Sequence, residues 1–207
     1  ITLSPRFFAE DKLLIQSEFR QKNKNSDYIV DLSQYISSKE NTKGHFFYDF
    51  NKNYENDNFN DVEVNIKLEQ VSDETYLKAY KIESPIINNT SNLTNSLSIN
   101  LFSENKSIST NLDIYEDLSK QDSDKYEYVP NFSFSRVLNK NNTFYSKAYY
   151  KNYNTNITEK ILINNFEYNS TPIYFEKGII NQKKFLVKNI NSEAKNSKII
   201  KIKVILI

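Results

Sequence analysis

Apolar and polar residues alternate with a period of two through most of this chain, and this alternation constrains the fold more than any other feature. Residues 61–71 show it most cleanly, with Val62, Val64, Ile66 and Leu68 alternating with Glu63, Asn65, Lys67 and Glu69. Successive side chains of a strand point to opposite faces, whereas a helix would distribute these charges around its surface. The segment is therefore predicted to be a β-strand with one apolar and one polar face.

The same pattern predicts a hairpin in residues 1–22 and further strands along the chain. In the hairpin a polar turn at residues 9–12 joins two extended arms, and Gln16, Glu18 and Arg20 share one face of the second arm. The other predicted strands are residues 28–36, 45–51, 96–103, 107–117, 126–138, 143–153 and 160–168. Helical periodicity is not convincing anywhere in the sequence. The fold class predicted is all-β, an antiparallel up-and-down meander.

Composition excludes several kinds of site and partner. The chain has no cysteine, so it can form neither a disulfide nor a thiolate metal site. Its net charge of +1 gives no reason to expect a nucleic-acid partner. Methionine is also absent and the chain begins inside a strand pattern, so we expect a segment of a longer protein. No cofactor is expected.

His45 is the only histidine and the first residue to weigh as a catalytic or metal-binding group. A Ser-His-Asp triad would require it, but the chain has no Gly-x-Ser-x-Gly elbow. Residues 49–61 superficially resemble a calcium loop, yet Tyr54 stands where glycine is required and Asn60 where the bidentate glutamate is required. We therefore predict no catalytic and no metal-binding residues, and interpret His45 as a polar strand residue and residues 49–61 as a solvated turn.

The connections between predicted strands tend to alternate in length. Residues 22–25, 103–106 and 139–142 are short connections, and residues 37–44, 75–95 and 118–125 are longer ones. Barrels with short turns at one rim and long loops at the other have this alternation. Two connections depart from it, because residues 9–12 are short where a long loop is due and residues 52–60 are long where a short turn is due.

Two architectures explain strands with one polar face. A soluble antiparallel sandwich buries its apolar faces and turns its polar faces to water. An outer-membrane barrel turns apolar and aromatic side chains to lipid and polar side chains to its lumen. Both have period two, so the alternation alone does not decide between them.

Four short stretches resemble the lipopolysaccharide-assembly outer-membrane protein family, LptD (also OstA or Imp). ITLSPR at residues 1–6 and LLIQSEFR at residues 13–20 resemble its opening barrel hairpin. VSDETYLKAY at residues 71–80 resembles a later family segment, and HFFYDFNK at residues 45–52 lies between the two, as a strand does in the family. The motif residues that carry the resemblance are Arg6, Glu18, Arg20, Ser72, Asp73 and Tyr76.

The resemblance implies an architecture and a function. Residues 1–187 would be about ten strands of a very large outer-membrane barrel. The family's barrel receives lipopolysaccharide from periplasmic bridge proteins, through a jelly-roll domain that is absent from these residues. An LptE-type lipoprotein plugs its lumen, and the lipid leaves between the first and last strands into the outer leaflet of the Gram-negative outer membrane. Pro5 is then a candidate for the lateral gate in the first strand, because proline cannot donate to a ladder.

The chain's last part departs from this pattern. Residues 188–207 turn into Ile/Lys repeats, and we treat them as a tail that is an edge strand or a truncated or frame-shifted end. Two alternatives to lipopolysaccharide assembly stay open: an outer-membrane porin or substrate-receptor barrel, and a soluble β-sandwich surface or adhesion domain.

Overall fold

A computed structural model describes residues 1–8, 12–120, 125–139, 141–154 and 157–196 of the chain. In these residues eleven strands form one antiparallel sheet in which each strand pairs with its neighbours in chain order. The strands of this sheet are β1 (Thr2–Phe8), β2 (Lys12–Lys22), β3 (Ser26–Ser37), β4 (Lys43–Asn56), β5 (Phe59–Val71), β6 (Asn92–Ser103), β7 (Lys106–Asp117), β8 (Tyr126–Asn139), β9 (Asn142–Asn154), β10 (Ile157–Asn169) and β13 (Lys184–Lys195). The predicted all-β antiparallel meander is confirmed.

Two small elements interrupt the meander. A one-turn helix, α1 (Tyr76–Ala79), lies between β5 and β6, although the sequence has no helical periodicity there. The strands β11 (Ile173–Tyr174) and β12 (Ile180–Asn181) form a separate hairpin between β10 and β13. Among the described residues, no helix has the length and apolar character needed to cross a membrane.

The connection at residues 52–60 is much shorter than predicted. Strand β4 continues to Asn56 and β5 begins at Phe59, so the turn consists of Asp57 and Asn58 alone. The interpretation of residues 49–61 as a solvated turn is therefore wrong, because most of them are strand residues. The Asn56 side chain makes this turn, because its Oδ1 accepts hydrogen bonds from the backbone N–H groups of Asn58 and Phe59, both at 2.9 Å. Asparagine, rather than glycine, forms this turn. With this correction the connection follows the alternation of short and long connections.

The predictions for the chain's other connections and tail have mixed outcomes. The predicted turn at residues 9–12 falls largely on residues 9–11, which lie outside the described residues, although β1 and β2 pair on either side of it. Residues 188–195 belong to β13, which pairs with β10 along its full length. The strand therefore continues across the predicted boundary after residue 187, and residues 197–207 lie outside the described residues.

The two faces of the sheet differ as the alternation predicts. We call the face that carries Gln16, Asp31, Ser33, Asn65, Ser98 and Asn111 the polar face, and the opposite one the apolar face. Large side chains of the apolar face are 39–44 % exposed, namely Leu32, Phe46, Leu68, Leu97, Leu112, Phe132 and Leu162. The sheet is thus one layer whose apolar face lacks a covering layer within the described residues.

The hydrophobic core lies on the polar face, where residues 72–91 fold back over β2, β3 and β4. We call residues 72–91 the cover segment. Its apolar side chains pack against Leu14, Tyr35 and Phe47, which are fully buried or nearly so. The core members from the cover segment are Tyr76, Leu77, Ile82 and Ile86, and Leu93 and Leu118 complete the cluster. Each such aliphatic side chain stabilises the docked segment by about 1.5–3 kcal/mol.

Candidate functional site

A cluster of buried polar side chains lies beneath the cover segment. Asp31, Ser33, His45 and Tyr76 are all 5 % exposed or less. The strand register brings the first three together, because Ser33 in β3 pairs directly with His45 in β4 and Asp31 lies two residues along β3 on the same face. Polar groups so deeply buried require hydrogen-bond partners.

Two short hydrogen bonds and one close contact join these side chains into one network. Ser33 Oγ lies 2.6 Å from His45 Nδ1 and 2.7 Å from the Tyr76 hydroxyl. On the other side of the imidazole, His45 Nε2 lies 3.3 Å from Asp31 Oδ1 without the geometry of a hydrogen bond. The network therefore runs from Asp31 on the sheet to Tyr76 on the cover segment.

Asp31, His45 and Ser33 are the residue types of a hydrolase triad, and their order in space is the order of a triad. The Ser33 hydroxyl, however, is buried and already lies between two hydrogen-bonding partners, His45 and Tyr76. A nucleophile needs an open approach to an acyl carbon and donors for the developing oxyanion. We therefore interpret the three residues as a structural network that anchors the cover segment.

A second chain of hydrogen bonds extends the network to the edge strand β1. Arg6 Nη2 donates to Gln16 Oε1 at 3.1 Å. Gln16 Nε2 in turn donates to both carboxylate oxygens of Asp31, at 3.1 and 3.2 Å, and to the backbone carbonyl of Glu83 at 2.9 Å. Arg6 also donates through Nη1 to the backbone carbonyl of Tyr80 at 2.8 Å. Side chains from β1, β2 and β3 thus all meet the cover segment.

The first residues of the cover segment are attached to β4. The backbone N–H of Ser72 donates to the Gly44 carbonyl at 2.9 Å, and the Gly44 N–H donates to Ser72 Oγ at 2.8 Å. Asp73 accepts hydrogen bonds from the hydroxyl and the backbone N–H of Thr75, and its carboxylate lies 3.3 Å from Lys43 Nζ. These Thr75 hydrogen bonds, helped by Lys43, lower the pKa of the Asp73 carboxyl below its ordinary value.

Gly44 allows the two strands to approach closely at this point. A Cβ atom at this position would lie 2.3 Å from the Ser33 carbonyl oxygen, which is a backbone atom and cannot rotate away. Any larger residue would push β4 away from β3 beside the Ser33–His45 pair. The glycine is required here by the close approach of the backbones.

Tyrosine rings surround the hydrogen-bonded groups. The Tyr80 ring lies 4.6 Å from the Tyr35 ring and 5.0 Å from the Tyr76 ring, measured between centroids. Burial, with a further contribution from the Tyr35 hydroxyl, raises the pKa of Tyr80 to about 12. Burial also raises the pKa of Tyr76. Both phenols are therefore neutral at physiological pH and act as hydrogen-bonding and packing groups.

The structure brings together four of the six motif residues predicted from the sequence. Arg6, Ser72, Asp73 and Tyr76 all hold the cover segment against the sheet, although Arg6 is 70 positions away from Tyr76 in the numbering. The other two, Glu18 and Arg20, form an exposed ion pair within β2, with Arg20 Nη2 donating to Glu18 Oε2 at 3.0 Å. Pro5 takes no part in this network.

Pro5 lies in β1, opposite Ile15 of β2. Within the described part of the chain, β1 pairs with β2 alone and is one edge of the sheet. An edge strand accommodates proline because proline has no N–H to donate to a ladder, although Pro130 lies in the interior strand β8 opposite Leu112. The edge position of Pro5 therefore agrees with its lack of a backbone N–H. A role for Pro5 in a gate stays a prediction.

Sequence reasoning missed Gln16, Asp31, Ser33, Gly44 and Tyr80. Asp31 and Ser33 are polar residues on one face of a predicted strand, which looks the same whether that face meets water or a covering segment. Gly44 carried a usable signal, because it is one of only two glycines in the chain and is the immediate neighbour of the single histidine.

Comparison with known proteins does not assign the chain to a family. No family model, no curated protein and no solved structure matches the chain. The likeness of residues 1–20 and 71–80 to the lipopolysaccharide-assembly family is a matter of short motifs, and its functional content is taken up below as a proposal.

Proposed function

We propose that this chain is part of the wall of an outer-membrane β-barrel that exports lipopolysaccharide to the outer leaflet. The exposed apolar face carries the membrane part of the proposal. Its large side chains, such as Leu97 and Phe132, are 40 and 42 % exposed, whereas the core lies on the opposite face. Contact with lipid would remove these side chains from water, as the hydrophobic effect requires.

The lengths of the strands also support a location in the membrane. Strands β2 to β10 and β13 each contain 11–14 residues. Strands of soluble proteins most often contain about 5–6 residues, whereas a tilted strand needs about 9–11 residues to cross a bilayer. Long strands of this kind are expected in a membrane wall.

Seven of the ten connections of the sheet agree with a barrel that has two different rims. At one end the turns at residues 23–25, 57–58, 104–105 and 140–141 are short, and residues 170–183, with the β11–β12 hairpin, are the long exception. At the other end residues 38–42, the cover segment and residues 118–125 are longer, and residues 9–11 and 155–156 are the short exceptions. Outer-membrane barrels have short periplasmic turns and longer extracellular loops. The cover segment would then enter the lumen from the extracellular side.

The polar face suits a hydrated lumen. Beyond the cover segment, Ser98 Oγ donates to Asn111 Oδ1 at 2.9 Å, and Ser109 Oγ donates to Asn100 Oδ1 at 2.6 Å. Amide and hydroxyl groups of this kind match the hydrogen-bonding groups of a sugar. A polar lumen would accept the saccharide while the acyl chains pass sideways into lipid, so the charged sugar is never transferred into hydrocarbon.

Lipopolysaccharide as the cargo rests on the family resemblance. Its support in the structure is that Arg6 and Tyr76, from two motifs far apart in the sequence, belong to one network. In this proposal β1 with Pro5 is one side of the lateral gate. An LptE-type lipoprotein would occupy the lumen against the polar face, and periplasmic bridge proteins would deliver the lipid.

A passive channel is the second candidate, and the cover segment favours it. A segment that folds onto the lumen side of a barrel narrows the aqueous path, as loops do in plugged and constricted barrels. A porin or substrate receptor with an ordinary closed seam would use the cover segment in this way.

Depletion and rescue of the full-length protein would test the function. Expression in a Gram-negative strain depleted of its own lipopolysaccharide exporter should restore lipopolysaccharide to the cell surface, measured by surface labelling. Failure of a correctly inserted protein to restore it would overturn the export proposal. Ion conductance of the purified protein in planar bilayers, without such rescue, would identify the channel instead. Release of the protein from membranes by carbonate would overturn both.

A further inference from the structure

Strand β1 makes few side-chain contacts with the rest of the molecule. Six of its seven residues are exposed, and Arg6 alone is partly buried. In the described residues β1 pairs only with β2, through seven residue pairs. An edge strand held on one side is the part of a sheet expected to separate first. Any further contact that β1 makes therefore contributes to holding this strand in place.

Arg6 makes this additional contact by binding the backbone just after α1. Its Nη1 donates to the carbonyl of Tyr80 at 2.8 Å and lies 3.4 Å from the carbonyl of Lys81. Both carbonyls follow Ala79, the last residue of α1, and a charged guanidinium donates stronger hydrogen bonds than a neutral group does. The backbone of Lys81 has a φ of +48°, which turns the chain at this point. The turn leaves both carbonyls available to one guanidinium.

Two more contacts link the same strand to the same segment. The Phe8 ring lies edge-on to the Tyr80 ring, at 6.2 Å between centroids. Gln16 of β2 accepts a hydrogen bond from Arg6 and donates one to the backbone carbonyl of Glu83. The side chains of Arg6, Gln16 and Phe8 therefore all contact residues 80–83 and hold them against the first two strands of the sheet.

We propose that the cover segment is a latch for β1, closed by Arg6 on the carbonyls of Tyr80 and Lys81. The latch couples two distant events, because anything that undocks the cover segment frees the edge strand, and anything that moves β1 loosens the cover segment. Such coupling is reciprocal by thermodynamic necessity. The latch itself stands on these contacts alone. Its consequence, that β1 separates from a neighbouring strand only after the latch opens, rests on the proposed function.

Hydrogen exchange of the full-length protein in its membrane or in micelles would test the latch. Arg6→Ala should raise exchange in both residues 2–8 and residues 76–83 by about tenfold, the effect of losing one charge-assisted hydrogen bond. Arg20→Ala is the matched control, because Arg20 is an exposed arginine of the neighbouring strand that pairs with Glu18. It should leave both segments unchanged.

Three outcomes would decide the matter. Increased exchange in both segments with Arg6→Ala, and not with Arg20→Ala, supports the latch. Unchanged exchange, or an increase in only one of the two segments, overturns it, because the latch requires both to respond. Arg6→Lys serves where the alanine variant does not fold. Lysine keeps the charge, but its single nitrogen cannot reach both the Tyr80 carbonyl and Gln16 Oε1, which Arg6 binds through Nη1 and Nη2. An intermediate increase is therefore expected, and wild-type exchange would overturn the latch.

Lipopolysaccharide export measured on the same variants separates the latch from the proposed function. Increased exchange in both segments with unaltered export leaves the latch standing and counts against the role of β1 as a gate. Altered export with unaltered exchange overturns the latch and leaves the proposed function in place.

Discussion

Ser33 and His45 face each other across β3 and β4, and Ser33 Oγ lies 2.6 Å from His45 Nδ1 beneath the cover segment. The Tyr76 hydroxyl completes this contact at 2.7 Å from Ser33 Oγ. A connecting segment with only one helical turn is thereby anchored to the polar face by buried side chains. The anchoring explains how a long connection acquires a defined position on a single-layered sheet.

Removal of the Tyr76 hydroxyl should destabilise the docked cover segment. Tyr76→Phe leaves the Ser33–His45 pair buried with one partner fewer, and we expect a loss of about 1–3 kcal/mol in the free energy of unfolding. Urea unfolding in detergent micelles would measure it. Tyr128→Phe is the control, because the Tyr128 side chain is 39 % exposed and loses a hydroxyl without uncovering a buried network. Equal effects of the two substitutions would contradict the role of Tyr76.

Enlargement of Gly44 should force β3 and β4 apart next to the network. We expect Gly44→Ala to destabilise the protein by about 1–3 kcal/mol, because its Cβ would meet the Ser33 carbonyl oxygen. Amide exchange of β3 and β4 should rise with it. In Gly178→Ala no atom lies within 4 Å of the new Cβ, so only the local strain of a φ of +76° is expected there. An unperturbed β3–β4 pair in Gly44→Ala would contradict the close approach.

Acid should loosen the start of the cover segment through Asp73. Hydrogen bonds from Thr75 lower the pKa of Asp73 in the folded protein, so its stabilising contribution is present above the unfolded value of about 3.9. The contribution is lost as the pH falls through the lower folded pKa. Pepsin cleavage within residues 72–91 should therefore rise below about pH 4. Asp73→Asn should remove this part of the pH dependence, and Asp57→Asn, in the β4–β5 turn, should retain it.

Adjacent substitutions on opposite faces would test whether the apolar face contacts lipid. Leu97 and Ser98 are neighbours in β6, one on the apolar and one on the polar face. Leu97→Arg should destabilise the membrane-inserted protein by about 2–4 kcal/mol, whereas Ser98→Arg should be tolerated in a wet lumen. Unfolding from lipid vesicles and the amount assembled in membranes would measure the difference. Tolerance of arginine at both positions would indicate that the apolar face does not contact lipid.

Pro5 gives a direct test of a weakened edge. If the missing N–H of Pro5 keeps β1 easy to separate, Pro5→Ala should slow lipopolysaccharide release by about 2- to 10-fold, the effect of one ladder hydrogen bond. The whole protein is needed for this measurement, with surface labelling of lipopolysaccharide as the readout. Unchanged release would assign Pro5 a purely structural position at the start of the sheet.

The strands and their two faces could be predicted from the sequence because both depend on neighbouring residues. Alternation along residues 61–71 places Leu68 and Glu69 on opposite faces whatever else the chain does. The turn at Asp57 and Asn58 was missed because its polar flanks, such as Asn56, resemble a loop although they continue both strands. The short motifs also singled out Arg6, Ser72, Asp73 and Tyr76, but without indicating what each would contact.

Only the tertiary structure decided which polar residues are buried. Residues 72–91 have no periodicity that would predict their docking, and their position depends on contacts with β1, β2, β3 and β4, between residues 28 to 75 positions apart. A strand pattern reports that Asp31 and Ser33 share a face, but not that this face is covered by Tyr76 or reached by Arg6. Period two is a local property of the backbone, whereas burial is set by what the rest of the chain places above it.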